Sequence, residues 1–165
     1  MAVYVDDIGI PARVGGLSGR WSHLIADSQE ELYEFAARLG LRRAWFQDPT
    51  VNGKPTPVKP GTRAAENWHY DVTASKRALA IEPGAVAVSW RDLHDIIDAR
   101  IAAAHRAAIV REFAELSRRG PGDMVHERYT AVVAEFGEPT AAALWDLAGD
   151  LLEQQGNDTT TGARR

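Results

Sequence analysis

The chain reads as an α/β protein with a short, mostly parallel sheet and a C-terminal helical extension. Two observations predict this. Up to about Trp90, short apolar β-type runs alternate with segments of helical periodicity, the pattern of βαβ units. After Trp90 only helical periodicity remains, and the composition shifts with it. Residues 1–91 hold 11 Lys/Arg against 10 Asp/Glu, whereas residues 92–165 hold 8 against 13. Only Pro121 and Pro139 lie in that second part. A small two-layer or three-layer sandwich over residues 1–90, a helical extension over 91–155 and a disordered tail over 156–165 follow as expectations.

Ala2–Asp7 is apolar at Val3, Tyr4 and Val5 and reads as the first strand. Gly9 to Gly19 is glycine-rich and reads as loop. Asp27-Ser28-Gln29-Glu30 fits a capping box with Asp27 as the cap. Leu32, Phe35, Ala36 and Leu39 then recur at helical spacing up to Gly40. Arg43–Gln47 reads as a second strand. Asp48–Asn67 has no periodicity and carries four prolines, the mark of a binding loop, lid or insertion. Thr73–Ile81 reads as a helix, with Asp71 as a candidate cap, and Ala85–Trp90 as a third strand. Ser89–Asp92 fits a second capping box, opening a helix to about Arg118. Two more helices carry Val125–Phe136 and the stretch from Pro139 to Leu152.

Composition excludes several functions. Of 165 residues none is cysteine, which removes disulfide scaffolds, thiol catalysis, zinc ribbons and iron–sulfur clusters. The net charge of −4 offers no broad basic footprint for duplex nucleic acid. The first 25 residues hold no apolar run of signal-peptide length, and no stretch approaches the roughly 18 apolar residues of a membrane span. A cytoplasmic protein is the expectation.

Candidate chemistry lies on two long loops. If the strands are parallel, the loops after strands one and two leave the same edge, where ligands of such sheets bind. That edge would gather Asp6, Asp7, His23, His69 and Asp71. Imidazoles and carboxylates without thiolate suit a divalent metal ion such as Zn, Mn, Fe, Ni or Co. His69 and Asp71, two residues apart, share one side of an extended segment. His69, Asp71 and His23 are the candidate catalytic residues. Arg20, Ser75 and Lys76 are candidates for binding an anionic group, Ser75 and Lys76 from the first turn of a helix. Trp21 and Trp68 are candidates for lining the pocket.

These residues support a metal-assisted hydrolase or transferase acting on a small phosphate- or carboxylate-bearing molecule. The alternative class is a non-catalytic ligand- or protein-binding regulatory module, using the same tryptophan-lined edge. Single-stranded nucleic-acid binding through Trp21, Trp68 and the Lys54/Lys59/Arg63 loop runs against the acidic balance. Leu144, Leu147, Leu151 and Leu152 would anchor a partner or dimer surface; monomer and homodimer both fit.

Four segments carry a resemblance: MAVYVDD at the start, RWSHLIAD at 20–27, LGLRRAWFQ at 39–47 and HYDVTASKRALAIEPGAVAV at 69–88. Over about residues 1–90 the chain resembles a bacterial and phage domain-of-unknown-function family, number 4031. The resemblance implies a compact stand-alone domain ending near Trp90 and carries no activity with it.

Overall fold

The computed structural model describes residues 2–51, 58–59, 61–120 and 122–162, with side chains to residue 155. Part of the Asp48–Asn67 loop expectation therefore lies outside the described residues. The chain divides into two compact units, Met1–Ile101 and Ala102–Arg165.

The first unit is built on strands β1 (Val3–Val5), β2 (Ile10–Val14), β3 (Leu17–Ala26), β4 (Phe46–Gln47), β5 (His69–Thr73) and β6 (Val86–Ala87). Among the described residues they form one six-stranded sheet in the order β4-β5-β3-β1-β6, with β2 also paired to β3. The sheet is mixed. Only β1 and β6 run parallel; β1–β3, β2–β3, β3–β5 and β4–β5 are all antiparallel. This corrects the expectation of a mostly parallel sheet, and the cause is two unforeseen pieces, the β2–β3 hairpin and β5.

The hairpin begins in the glycine-rich stretch expected as loop, and its second strand runs on to Ala26. Gly15 and Gly16 hold φ of +55° and +86° and form a two-residue connection between Val14 and Leu17. Positive φ at both central residues matches the twist of a tight hairpin, and glycine adopts it without steric cost. The second is β5, where Tyr70 and Val72 alternate with His69, Asp71 and Thr73. The stretch read as the second strand begins as a 3-10 turn at Arg43–Trp45 and pairs only at Phe46–Gln47.

Alternation gives the sheet two unlike faces. One carries Val3, Val5, Leu24, Ala26, Tyr70 and Val72, all buried. Against it pack Leu32, Phe35, Ala36 and Leu39 around helix α1 (Gln29–Arg38), and Ala80 of helix α3 (Ala74–Ile81). The short helix α2 (Arg63–Glu66) lies between β4 and β5 in the chain. The other face carries Asp6, Trp21, His23, His69 and Asp71.

Helix ends are set locally. Ser28, not Asp27, caps α1: its hydroxyl accepts from the Glu31 N–H at 3.2 Å. Asp27 instead accepts from the Ala2 N–H and the Tyr4 hydroxyl, tying α1's entry to β1. Gly40 at φ +72° closes α1, with Gly40 N–H donating to Ala37 and Leu41 N–H to Ala36, a Schellman ending. Thr73 caps α3 by accepting from the Lys76 N–H, so Asp71 is not needed there.

Helix α4 (Leu93–Arg119) begins in the first unit; α5 (Gly122–Phe136) and α6 (Glu138–Gly162) belong to the second. Of the capping box expected at Ser89–Asp92 only the return half is present, the Ser89 N–H donating to Asp92; the Ser89 hydroxyl accepts from the Arg91 N–H, and α4 begins at Leu93. The second unit's core is Ile109, Phe113, Ala114, Val132, Ala141, Leu144 and Ala148. Phe113 packs edge-on to Trp145 at 5.3 Å between ring centroids. Gly137 at φ +83° turns α5 into α6. Helix α6 continues to Gly162, through part of the segment expected as a tail. Among the described residues no helix is long and apolar enough to cross a membrane.

Candidate metal centre

Register assembles the site. His23 stands opposite Asp71 in the β3–β5 ladder. On the other side of β3, the Asp6 N–H donates to the His23 carbonyl at 3.0 Å, extending the β1–β3 ladder by one residue. Asp6, His23 and Asp71 thus form one row across three strands, on the face away from the apolar core. His69, two residues before Asp71, points to that same face. The His23 and His69 rings meet edge-on, 4.8 Å between centroids at 82°.

Each imidazole is oriented through its Nδ1. His23 Nδ1 lies 2.6 Å from Asp6 Oδ2, and the His23 N–H donates to Asp6 Oδ1 at 2.9 Å. His69 Nδ1 donates to the Asn67 carbonyl at 2.8 Å. A carbonyl can only accept, so His69 carries its proton on Nδ1 and the neutral ring keeps its Nε2 lone pair free. The Asp6 carboxylate sets the same tautomer on neutral His23. A carboxylate or carbonyl behind each histidine is the arrangement that orients imidazole toward a metal ion. Asp71 Oδ1 lies 3.7 Å from His69 Nε2, and Asp71 Oδ2 accepts from the Gln47 amide at 2.5 Å.

Among the described residues, His23, His69 and Asp71 form the cluster with metal-ligand character, their donor atoms within 4.8 Å of one another. Around a tetrahedral ion with bonds of about 2.1 Å, donors stand roughly 3.4 Å apart. The described donors, within 4.8 Å, stand wider than that, and Asp71 and His23 are the more exposed members of the group, at 31% and 25% against 11% for His69.

Protonation follows from surroundings. Burial pushes the Asp6 carboxyl up, but the hydrogen bonds from the His23 ring and backbone outweigh it and hold the carboxyl below its usual value. The Asp6 hydrogen bond raises His23, against the opposing effect of burial. Burial lowers His69, only partly offset by its bond to Asn67 and reinforced by nearby His23. Two adjacent imidazoles are therefore driven apart in basicity, a feature of working sites.

The other expected residues fall differently. Asp6 is fully buried and serves behind His23 rather than beside it. Asp7 turns away: its Oδ1 accepts from the Trp90 N–H at 2.9 Å. Trp21 shares the His23 face two residues back, and its indole N–H donates to the Ala12 carbonyl, pinning the β2–β3 hairpin. Arg20 alternates to the opposite face. Trp68 is buried in the core, stacked under the Arg100 guanidinium at 3.6 Å, so packing and not a pocket wall accounts for it. Ser75 is hydrogen-bonded to Thr73, and Lys76 Nζ donates to the Leu39 carbonyl at the end of α1. Neither belongs to the His23–His69–Asp71 group.

Three roles lie outside the sequence expectations. Gln47 holds Asp71. The Asn67 carbonyl holds His69. Arg77 Nε donates to the Asp6 carbonyl at 2.5 Å, fixing the end of β1 from α3. Gln47 is traceable only with the β4–β5 register, whereas Asn67 acts through its carbonyl two residues before His69, a backbone role its residue type does not signal.

A recess of about 370 Å³ opens beside His23 and Asp6. Its walls come from α2 (Arg63, Ala64), Asn67, Trp90 and the first turns of α4 (Leu93, His94, Ile97).

No curated protein and no solved structure matches the chain. A family match spans residues 3–100, beyond Trp90 and into the first turns of α4, so the domain includes helix that the sequence resemblance had left outside. With the whole His23–His69–Asp71 cluster and its recess inside those bounds, the chain belongs to the family described as Protein of unknown function (DUF4031).

Proposed function

We propose that His23, His69 and Asp71 hold a divalent metal ion, and that the protein is a metal-assisted hydrolase or transferase acting on a small phosphate- or carboxylate-bearing molecule. The observation that carries this reading is the engagement of both Nδ1 atoms by acceptors, which leaves the two Nε2 lone pairs free in a group that, with Asp71, has donor atoms within 4.8 Å of one another. Two imidazoles and one carboxylate leave coordination positions open, where an ion polarises a phosphoryl or carbonyl oxygen or lowers the pKa of a bound water. Asp6 orients His23, Asn67 fixes the His69 tautomer, and Gln47 steadies Asp71.

Metal content after purification without chelator, and hydrolysis of p-nitrophenyl phosphate and p-nitrophenyl acetate, test it. About one ion per chain, lost in His69→Ala together with hydrolysis, supports the reading. A chain that takes up no Zn, Mn or Co contradicts it. An ion that binds without turnover on any such ester favours the non-catalytic ligand-binding class.

A further inference from the structure

The sequence assigns anion binding to Arg20, Ser75 and Lys76, but Ser75 and Lys76 are spent on Thr73 and on the Leu39 carbonyl. The recess beside His23 offers donors in their place. Asn67, Trp90 and His94 line it, and among the described residues their side chains make no hydrogen bond of their own. Arg63 donates from Nε and Nη2 to Asp98, which uses two of five guanidinium protons and leaves three. Asp6 also borders the recess, but its oxygens already accept from the His23 ring, the His23 N–H and the Ile8 N–H. The recess therefore presents donors and a cation over apolar walls of Ile8, Ala64, Leu93 and Ile97. Its size suits a small metabolite rather than a macromolecule.

We infer that this recess is the anion subsite of the enzyme, where Arg63, Asn67, Trp90 and His94 take the phosphate or carboxylate of the substrate while His23 borders both recess and metal. The inference rests on the metal reading for its second half only. Arg63 occupies the position of a fork that trades partners. An incoming phosphate matches guanidinium geometry as well as Asp98 does, and both partners of the Arg63–Asp98 pair are exposed enough to exchange.

The test is titration of the metal-free and zinc-loaded protein with inorganic phosphate, and in parallel with acetate, following the Trp90 indole and Asn67 amide proton–nitrogen resonances. Saturable shifts at both are expected in each form, with tighter binding when zinc is present, since a nearby divalent cation attracts the anion and the coupling is reciprocal. Arg63→Gln should weaken phosphate about tenfold. Asp98→Asn, which breaks the same α2–α4 contact but frees Arg63, should tighten it several-fold. Equal weakening by both variants would reduce Arg63 to a structural tie and overturn the inference, as would shifts absent from Trp90 and Asn67. Zinc binding without phosphate at the recess sinks this inference alone; phosphate binding without zinc sinks the metal reading alone. The tighter of phosphate and acetate names the group.

Discussion

His23 and Asp71 stand opposite one another on antiparallel strands, 48 positions apart in the chain, with Asp6 behind His23 on the third strand of the row. The sheet itself, rather than a loop, holds the spacing of the chemically able groups. Sites on strands are held more rigidly than sites on loops, because each side chain's direction is set by the ladder. The same alternation that buries Leu24 and Tyr70 on one face obliges His23 and Asp71 onto the other.

The Asp6–His23 pair gives the first prediction. Asp6→Asn keeps the acceptor for the His23 N–H but removes the charge, so the His23 pKa should fall from its raised value. The sign for stability follows from linkage. A raised His23 stabilises fully below its unfolded value and loses this as pH rises through the folded one. A lowered Asp6 stabilises above its unfolded value and loses this as pH falls through the folded one. The pair therefore stabilises most between about pH 4 and pH 6.5. Urea midpoints should show a larger gap between wild type and Asp6→Asn at pH 5.5 than at pH 8.5; a pH-independent gap would contradict this.

The opposite basicities of the two rings give the second. In ring-proton titrations of the metal-free protein, His69 should protonate at lower pH than His23, because burial lowers one and Asp6 raises the other. Reversed order would show that the Asp6 contact does not govern His23.

Helix capping gives the third. Ser28→Ala should cost about 1 kcal/mol, the usual effect of losing a cap hydroxyl. Asp27→Ala should instead loosen the attachment of residue 2 and Tyr4, read as faster amide exchange of Ala2. A larger stability loss at Asp27 with none at Ser28 would restore the cap assignment that the sequence suggests.

Arg100 gives the fourth. Burial lowers its pKa to about 10, its Nε and Nη2 find no hydrogen-bond partner, and its plane lies over the Trp68 ring. The stack and the Nη1 bond to the Glu66 carbonyl hold it there. Arg100→Ala should cost about 2 kcal/mol, the magnitude of a desolvated cation–π contact, and shift Trp68 fluorescence. An unchanged denaturation midpoint would contradict it.

How far the sequence carried the fold depended on how each element advertises itself. The helices α1, α3, α4 and α5 repeat apolar residues at a period of 3.6 and were legible nearly to their ends. β3 is not, because its alternation is confined to Trp21–Leu24: Leu17–Arg20 are all exposed, and Leu24, Ile25 and Ala26 are buried in succession. Its one local signal was Gly15-Gly16 between two short runs, the mark of a two-residue hairpin. β5 does alternate, but His69–Asp71 was read as the approach to a helix. The convergence of Asp6, His23, His69 and Asp71 was thus foreseen on a mistaken ground: parallel strands sending loops to one edge, where antiparallel register in fact brings them side by side. Asp7, Trp68, Ser75 and Lys76 lie elsewhere, because hydrogen bonds to Trp90, Thr73 and Leu39 and core packing claim them.

The most direct measurement is anomalous scattering from crystals of the protein grown or soaked with zinc, at the zinc edge. The account predicts one strong peak within about 2.0–2.2 Å of His23 Nε2, His69 Nε2 and an Asp71 carboxylate oxygen, with Asp6 and the Asn67 carbonyl still on the two Nδ1 atoms. Absence of a peak between these three side chains, or a peak held by other residues, would contradict it.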